Sequence, residues 1–343
     1  MNYLSQTFDT KIATGNHQVC HNLLTQVRAL MNVRIGVLLV PLLVPLLLLA
    51  VWLAWWSPKS RQPLELDPSH RIALLAGHRK AAGWRWAGLG LGVVVAAVTA
   101  GTVTLGLHNL GAMLAPAVFG LCVIGGVVVG ELASIPRRQG VRSAPLETRT
   151  VGDYLPRRLG GLVLGSTLGL GALLFTTTLM GSADDVGRAG RALSRQCSPD
   201  TFASTGPWPG LYYSVPLAIA VVVGLLGAAV ALRAVVLRPR SGSAPEVVAA
   251  DDVLRRRSAE SVVAATGVMV AASMLGVSLT AGGGLIGFDC APMAWTVLGV
   301  ALLGVGVLML LLAVWCLAVL LSGPRVRRMA SAARAVSGRE ASR

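Results

Sequence analysis

The sequence predicts an all-α integral membrane protein with seven transmembrane helices, arranged as one leading helix and three tandem helical hairpins. Of the 343 residues, 54% are hydrophobic and only 13% are charged, a composition typical of membrane proteins. Residues 35–56 contain no charge and are long enough, at about 1.5 Å of helical rise each, to cross the bilayer core. The positive charges are concentrated in the connections between further apolar stretches.

The predicted spans are 35–56, 84–107, 110–132, 159–180, 211–232, 261–280 and 294–321. They define a seven-span bundle at residues 31–323 and a basic cytoplasmic tail at 324–343.

Residues 1–30 differ in composition from the rest of the chain, because most of the asparagine in the sequence lies there. We expect them to be a disordered or non-native extension, with Met31 as the alternative start to Met1. His17, Cys20 and His21 are metal-ligand types, but without a second cluster they do not predict a site.

The first span has an alternative interpretation as a cleaved signal peptide. It ends in the bulky residues Trp52, Trp55 and Trp56 and not in a small-residue cleavage site, so we expect it to be retained. Pro41 and Pro45 each remove a backbone donor, which predicts a kinked helix.

The connections alternate in charge, and this alternation predicts the topology. Arginine-rich segments are those at 57–83, 133–158, 233–260 and the tail, whereas 108–109 and 281–293 contain no Lys or Arg, and 181–210 balances its arginines with aspartates. The positive-inside rule then predicts a multi-pass plasma membrane protein with its amino terminus outside and its carboxyl terminus in the cytoplasm.

Two pairs of similar segments indicate an internal repeat. One is the inner-loop motif, in which Asp153, Arg157 and Arg158 recur as Asp252, Arg256 and Arg257. The other is Cys-small-Pro at Cys197 and again at Cys290. We favour duplication of a two-span hairpin over coincidence, which predicts that spans four and five superpose on spans six and seven.

The repeated cysteines predict a disulfide. Cys197 and Cys290 both fall on the predicted outer face, where disulfides persist. The alternative is two free thiols whose similar neighbours come from duplication alone. The distance between the two Cα atoms distinguishes a disulfide from a pair of free thiols, because bonded cysteines need Cα atoms within about 7 Å of each other.

Glycines at four-residue spacing predict close helix packing, since they let backbones approach where lipid removes the hydrophobic drive for association. We favour packing within the chain over dimerisation. The predicted packing glycines are Gly88 and Gly92, Gly126 and Gly130, and Gly161, Gly165 and Gly169.

The segment before span six contains favourable helical pairs, with Asp251 four residues before Arg255 and Asp252 four before Arg256. It fits either a short amphipathic helix on the membrane surface or a simple extension of the span.

Catalytic motifs are not found. The central parts of the predicted spans contain no ionisable residue, and Arg85, Glu131 and Arg233 lie near span ends, where we expect their side chains to reach the polar interface. The sequence contains no H-E-x-x-H and no phosphate-binding loop, and we interpret the pairs Asp184-Asp185 and Asp251-Asp252 as solvated charge. We therefore expect no enzyme, no catalytic, cofactor-binding or metal-binding residue, and no cofactor.

The leading functional hypothesis is a structural or accessory membrane subunit that binds a partner through its cytoplasmic basic loops or the 181–210 outer loop. The expected partners are the lipid bilayer and another membrane or cytoplasmic protein. Nucleic acid is not expected, because the net charge of +15 is distributed between spans. The alternative is a permease for a neutral or lipid-like substrate.

Overall fold

A computed structural model describes residues 49, 52, 68–101, 109–133, 152, 154–238, 245–288 and 290–322. This part of the chain is mostly helical and contains six helices that are long and apolar enough to cross a membrane. The predicted first span lies outside it except for Leu49 and Trp52, as do the extension at 1–30 and the basic tail. The count of seven spans therefore stays a prediction.

Each of the six helices overlaps one of the predicted spans two to seven. They are α1 (Pro68–Gly101), α2 (Leu110–Ala133), α3 (Arg157–Met180), α4 (Leu211–Leu237), α5 (Pro245–Ile286) and α6 (Met293–Leu321). Two short strands that the sequence analysis did not predict, β1 (Leu193–Ser198) and β2 (Thr201–Thr205), lie between α3 and α4.

The two copies of the inner-loop motif adopt different backbone structures. In the first copy Pro156 precedes α3 as its N-cap residue, because proline cannot continue a helix from its amino side. Arg255 takes the corresponding place in the second copy, and there the helix is continuous over 42 residues. The segment before span six is thus an extension of the span and not a separate surface helix.

Helix α5 forms the centre of the bundle. It packs against α2, α3, α4 and α6, and α1 packs on the outer side against α2. The Met269 side chain of α5 occupies the space that Cβ atoms would take at Gly120 of α2 and Gly224 of α4. Small residues on the neighbouring helices therefore make room for the large side chains of α5.

The predicted equivalence of the α3–α4 and α5–α6 hairpins is not seen in their packing. Helices α5 and α6 pack closely along their lengths, as do α1 and α2, whereas α3 and α4 contact each other little and pack on α5. The connections explain the difference. Only residues 287–292 join α5 to α6, but the folded segment 181–210 lies between α3 and α4.

The glycines of α1 and α2 form a close helix contact. A Cβ atom on Gly126 would lie 2.6 Å from the Trp84 carbonyl oxygen and 2.8 Å from the Gly88 Cα. A Cβ on Gly92 would contact Phe119, 3.0 Å away, and one on Gly130 would lie 3.0 Å from the Ala81 carbonyl oxygen. These four glycines pack within the chain.

The three predicted packing glycines of α3, Gly161, Gly165 and Gly169, do not form a comparable contact with the other described helices. Among the described residues nothing lies within 4 Å of a Cβ built on Gly161 or Gly165, and only Gly169 contacts α5, through Met274 at 3.3 Å. The expectation of packing within the chain is therefore wrong for Gly161 and Gly165 in the part of the protein that the structure describes. The physical reason is that α3 turns a different face towards α5.

Candidate functional site

We call residues 181–210 the cap, and the end of the bundle that carries it the capped end. Strands β1 and β2 of the cap form an antiparallel hairpin, with Leu193 paired to Thr205 and Gln196 to Phe202. The register shifts between Gln196 and Ser198. The prediction of an all-α protein is therefore incomplete here, because the outer loop forms a small sheet of its own.

Trp208 anchors the base of the cap. Its side chain is 1% exposed, and its indole N–H donates a hydrogen bond of 2.8 Å to the carbonyl oxygen of Thr177, in the last turn of α3. At the same place the backbones of Gly190 and Gly210 approach so closely that a Cβ on Gly210 would lie 2.5 Å from the Gly190 carbonyl oxygen. The base is thus fixed to the ends of α3 and α4.

The hairpin extends from this base across the ends of α5 and α6. Leu193 is buried with Leu285 and Phe288 of the α5–α6 corner. The guanidinium of Arg195 lies over the Trp295 ring, 5.2 Å from its centroid, a cation–π contact. The cap therefore connects two parts of the bundle that are far apart in sequence.

A disulfide closes this connection. Cys197 of β1 is bonded to Cys290 at the α5–α6 corner, with the two Cα atoms 5.9 Å apart. This distance satisfies the limit of about 7 Å that a disulfide requires. Of the other cysteines in the described residues, Cys122 and Cys316 are free thiols within α2 and α6.

We predict that the protein contains this disulfide in its native membrane. Alkylation of the unfolded, unreduced protein should modify Cys122 and Cys316 but leave Cys197 and Cys290 in one cross-linked peptide, detected by mass spectrometry. Replacing both bonded cysteines by serine should lower the free energy of unfolding by about 2–4 kcal/mol. Alkylation of Cys197 without reduction would contradict the prediction.

Asp184 organises the first turn of the cap. Its carboxylate accepts hydrogen bonds from the backbone N–H groups of Arg188, at 2.7 Å, and Val186, at 3.2 Å. The buried guanidinium of Arg191 lies 3.0 Å away as an ion pair. The Arg188 N–H in particular holds the pKa of Asp184 below its ordinary value of 3.8; partial burial opposes the shift, and the Arg191 charge adds to it.

This shift predicts an acid-sensitive cap. Because the pKa is lower in the folded state, the ionised carboxylate stabilises the cap above the ordinary pKa, and the contribution is lost as pH falls through the folded value. Below about pH 3.9, stability should fall more in the wild type than in Asp184→Asn. Hydrogen exchange of the cap amides measures this, with Asp185→Asn as the control. Equal acid sensitivity in both aspartate variants would contradict it.

The outer face of the hairpin is exposed. Side chains alternate along paired strands, so the face opposite Leu193 and Arg195 carries Ser194, Gln196, Phe202 and Ser204. Phe202 is 75% exposed, compared with 66% for Phe175 and 56% for Trp86 in the helices. A rigid hairpin thus presents one large apolar side chain among small polar ones.

We call the opposite end, where α1, α3 and α5 begin their spanning segments, the basic end. Here Arg85 of α1 donates to Glu131 of α2 at 3.0 Å, and the Ser258 hydroxyl of α5 donates to the other carboxylate oxygen at 2.7 Å. All three side chains are buried. The expectation that Arg85 and Glu131 reach the polar interface is therefore wrong, because each finds its partner on a neighbouring helix.

A second buried pair lies one helical turn from Ser258. Arg255 and Asp251 are 1% and 2% exposed and form the predicted ion pair at 2.8 Å. The guanidinium also donates to the carbonyl oxygens of Val235, Val236 and Arg238, which end α4. The interpretation of Asp251 as solvated charge is wrong, because Arg255 neutralises it while binding the negative end of the α4 dipole.

The remaining motif residues lie at the surface of the basic end. Asp252 accepts a hydrogen bond of 3.2 Å from the Tyr154 hydroxyl, and Arg257 forms an ion pair with Glu260 at 3.0 Å. The exposed members are Arg157, Arg158 and Arg256. Asp153 lies outside the described residues.

The sequence analysis missed the contact between Arg85 and Glu131, which are 46 residues apart. A signal was present, since Arg85 and Glu131 are charged residues of opposite sign near the ends of neighbouring apolar spans, and charged residues within such segments are usually paired. Among the described residues no group of three or more His, Cys, Asp or Glu side chains could hold a metal ion.

Six long apolar helices, joined by a cap at one end and buried ion pairs at the other, define a polytopic helical membrane protein. No protein-family model, curated protein or solved structure matches the chain. Its function must therefore be inferred from its own residues.

Proposed function

We propose that this protein is a non-catalytic structural or accessory subunit of the plasma membrane that binds a partner protein through the cap. The proposal rests on one observation: the cap is fixed to the ends of four helices, and yet its hairpin exposes Phe202. Rigid presentation lowers the entropy lost on binding, and large aromatic side chains are frequent energetic anchors of interfaces.

The proposed orientation has the capped end outside and the basic end in the cytoplasm. The excess of positive charge at the basic end supports it, as the positive-inside rule requires, with exposed Arg79, Lys80, Arg157, Arg158 and Arg256 at that end. The cap also exposes Arg188 and Arg195, but there Asp185 and Asp200 balance them. The disulfide agrees with an oxidising compartment at the capped end.

Labelling of single cysteines tests the orientation. With the unpaired native cysteines replaced by alanine, Ser204→Cys should react with a membrane-impermeant maleimide in intact cells. Arg256→Cys should react only after the membrane is opened. The reverse pattern would contradict the proposed topology.

Photo-crosslinking tests the partner. A benzophenone amino acid at position 202 should form one protein adduct of defined mass in native membranes, and Phe202→Ala should reduce co-purification of that protein. The control position is Val98, which is 65% exposed on α1 and should crosslink only to lipid. Equal co-purification with Phe202→Ala would overturn the role of the cap.

The alternative is the permease for a neutral or lipid-like substrate. The central position of α5 weighs against it, because Met269 fills the space between α2 and α4. Substrate flux into vesicles that contain only this protein would favour the permease over the subunit.

A further inference from the structure

The Tyr154–Asp252 hydrogen bond brings two copies of the inner-loop motif to one surface. The bond, 3.2 Å long, ties the segment before α3 to α5. Arg157 and Arg158 come shortly after Tyr154, beyond Leu155 and Pro156, and lie in the first turn of α3. Arg256 is one helical turn beyond Asp252, and residues four apart lie on the same helix face. Arginines from two helices therefore share this surface.

These arginines lack an acidic partner among the described residues. All three are exposed, and no carboxylate in the part of the chain that the structure describes forms an ion pair with them. The neighbouring acids are already engaged: Asp251 with Arg255, Asp252 with Tyr154, and Glu260 with Arg257. Asp252 keeps its negative charge, because the Tyr154 hydroxyl from which it accepts a hydrogen bond is neutral. The three arginines outnumber it, so the described surface is net positive.

We propose that Arg157, Arg158 and Arg256 bind the phosphate group of an anionic membrane lipid. By length and composition, the segments that can cross a membrane begin at Arg157 in α3 and at Asp251 in α5, so the three arginines belong to the ends of two spans, where lipid headgroups are expected. Guanidinium binds phosphate oxygens in a bidentate geometry, and anionic lipids supply phosphates at this surface. The inference does not depend on the proposed role of the cap.

Other basic residues at the same end provide a contrast. Arg79 and Lys80 are also exposed, but both belong to α1, and of the described helices it is α2 that α1 packs against closely. Both charges therefore come from a single helix. They attract anionic lipid in general, whereas the α3–α5 surface offers arginines from two elements to one phosphate.

Native mass spectrometry of the full-length protein in detergent tests the site. The protein is titrated with phosphatidylglycerol and, in a parallel series, with zwitterionic phosphatidylcholine. In Arg157→Gln/Arg256→Gln, the affinity for phosphatidylglycerol should fall roughly tenfold or more, because two charges near the headgroup are lost. The matched control Arg79→Gln/Lys80→Gln removes two charges at the same end and should change the affinity less than about twofold.

Tyr154→Phe keeps every charge but removes the hydrogen bond that joins the two motif copies. This variant should also bind phosphatidylglycerol more weakly, and it tests the proposal if the double arginine variant fails to fold.

Equal losses of affinity in both double variants would show that the lipid is attracted by the overall surface charge and would overturn the site. Displacement of the lipid by an equal concentration of inorganic phosphate would overturn the assignment to a lipid, as would equal affinity for phosphatidylcholine.

Discussion

Replacement of Arg255 by methionine should lower the free energy of unfolding by about 3–5 kcal/mol, the largest effect that we expect from a single side chain. The change leaves the Asp251 carboxylate buried without its cation and deprives the last carbonyl groups of α4 of their donor. A lone buried charge is far more costly than an intact pair. Denaturant titration of the purified protein in detergent measures the change.

Two controls separate this cause from a general loss of charge. Arg256→Met removes the same charge from the next, exposed position and should change stability by less than about 0.5 kcal/mol. Asp251→Leu/Arg255→Met should recover part of the loss, because no unpaired carboxylate remains. Equal stability of the Arg255 and Arg256 variants would show that the buried pair does not hold α4 to α5.

Gly126→Leu should separate α1 from α2 and destabilise the protein by about 1–3 kcal/mol or more. Even a Cβ at this position would lie 2.6 Å from the backbone oxygen of Trp84, and backbone cannot move aside as a flexible side chain can. Loss of the close approach would also weaken the bond between Arg85 and Glu131, which joins the same helices. Thermal unfolding and the yield of monodisperse protein measure the effect.

Gly125→Leu is the matched control. Gly125 is the preceding residue of the same helix, and within the described residues nothing lies within 4 Å of a Cβ built there. The substitution adds the same apolar volume on the lipid side and should be close to neutral. Equal damage from both substitutions would mean that helix propensity or insertion, and not the α1–α2 contact, is responsible.

The spans are the part of the fold that sequence reasoning predicts well. The predicted 110–132 and 294–321 correspond to helices at Leu110–Ala133 and Met293–Leu321. Local composition is sufficient here, because a backbone in lipid must satisfy its hydrogen bonds within its own segment. The extensions of α1 to Pro68 and of α5 to Pro245 were less predictable, since polar residues outside the bilayer form helix or loop equally well.

Contacts between side chains were predictable only in two situations: where the two residues are close in sequence, or where both belong to copies of a repeated motif. The Asp251–Arg255 pair follows from helical spacing, and the proximity of Cys197 and Cys290 was expected from their matching motifs. The Arg85–Glu131–Ser258 network joins three helices, and nothing in its local sequence specifies the pairing. Likewise, the alternation in residues 193–205 was too short and too polar to indicate a hairpin.

The sequence alone predicts a helical membrane protein, the approximate positions of spans two to seven, and the arginine-rich connections between them. These properties depend on hydrophobicity summed over about twenty residues, which no neighbour needs to supply. Only the tertiary structure decided that α5 is central, that Gly126 packs whereas Gly161 faces outwards, and that the cap is an ordered, clamped hairpin. The physical reason is that these features depend on which helix faces meet, and in lipid that choice is made by shape and paired polar groups between distant segments.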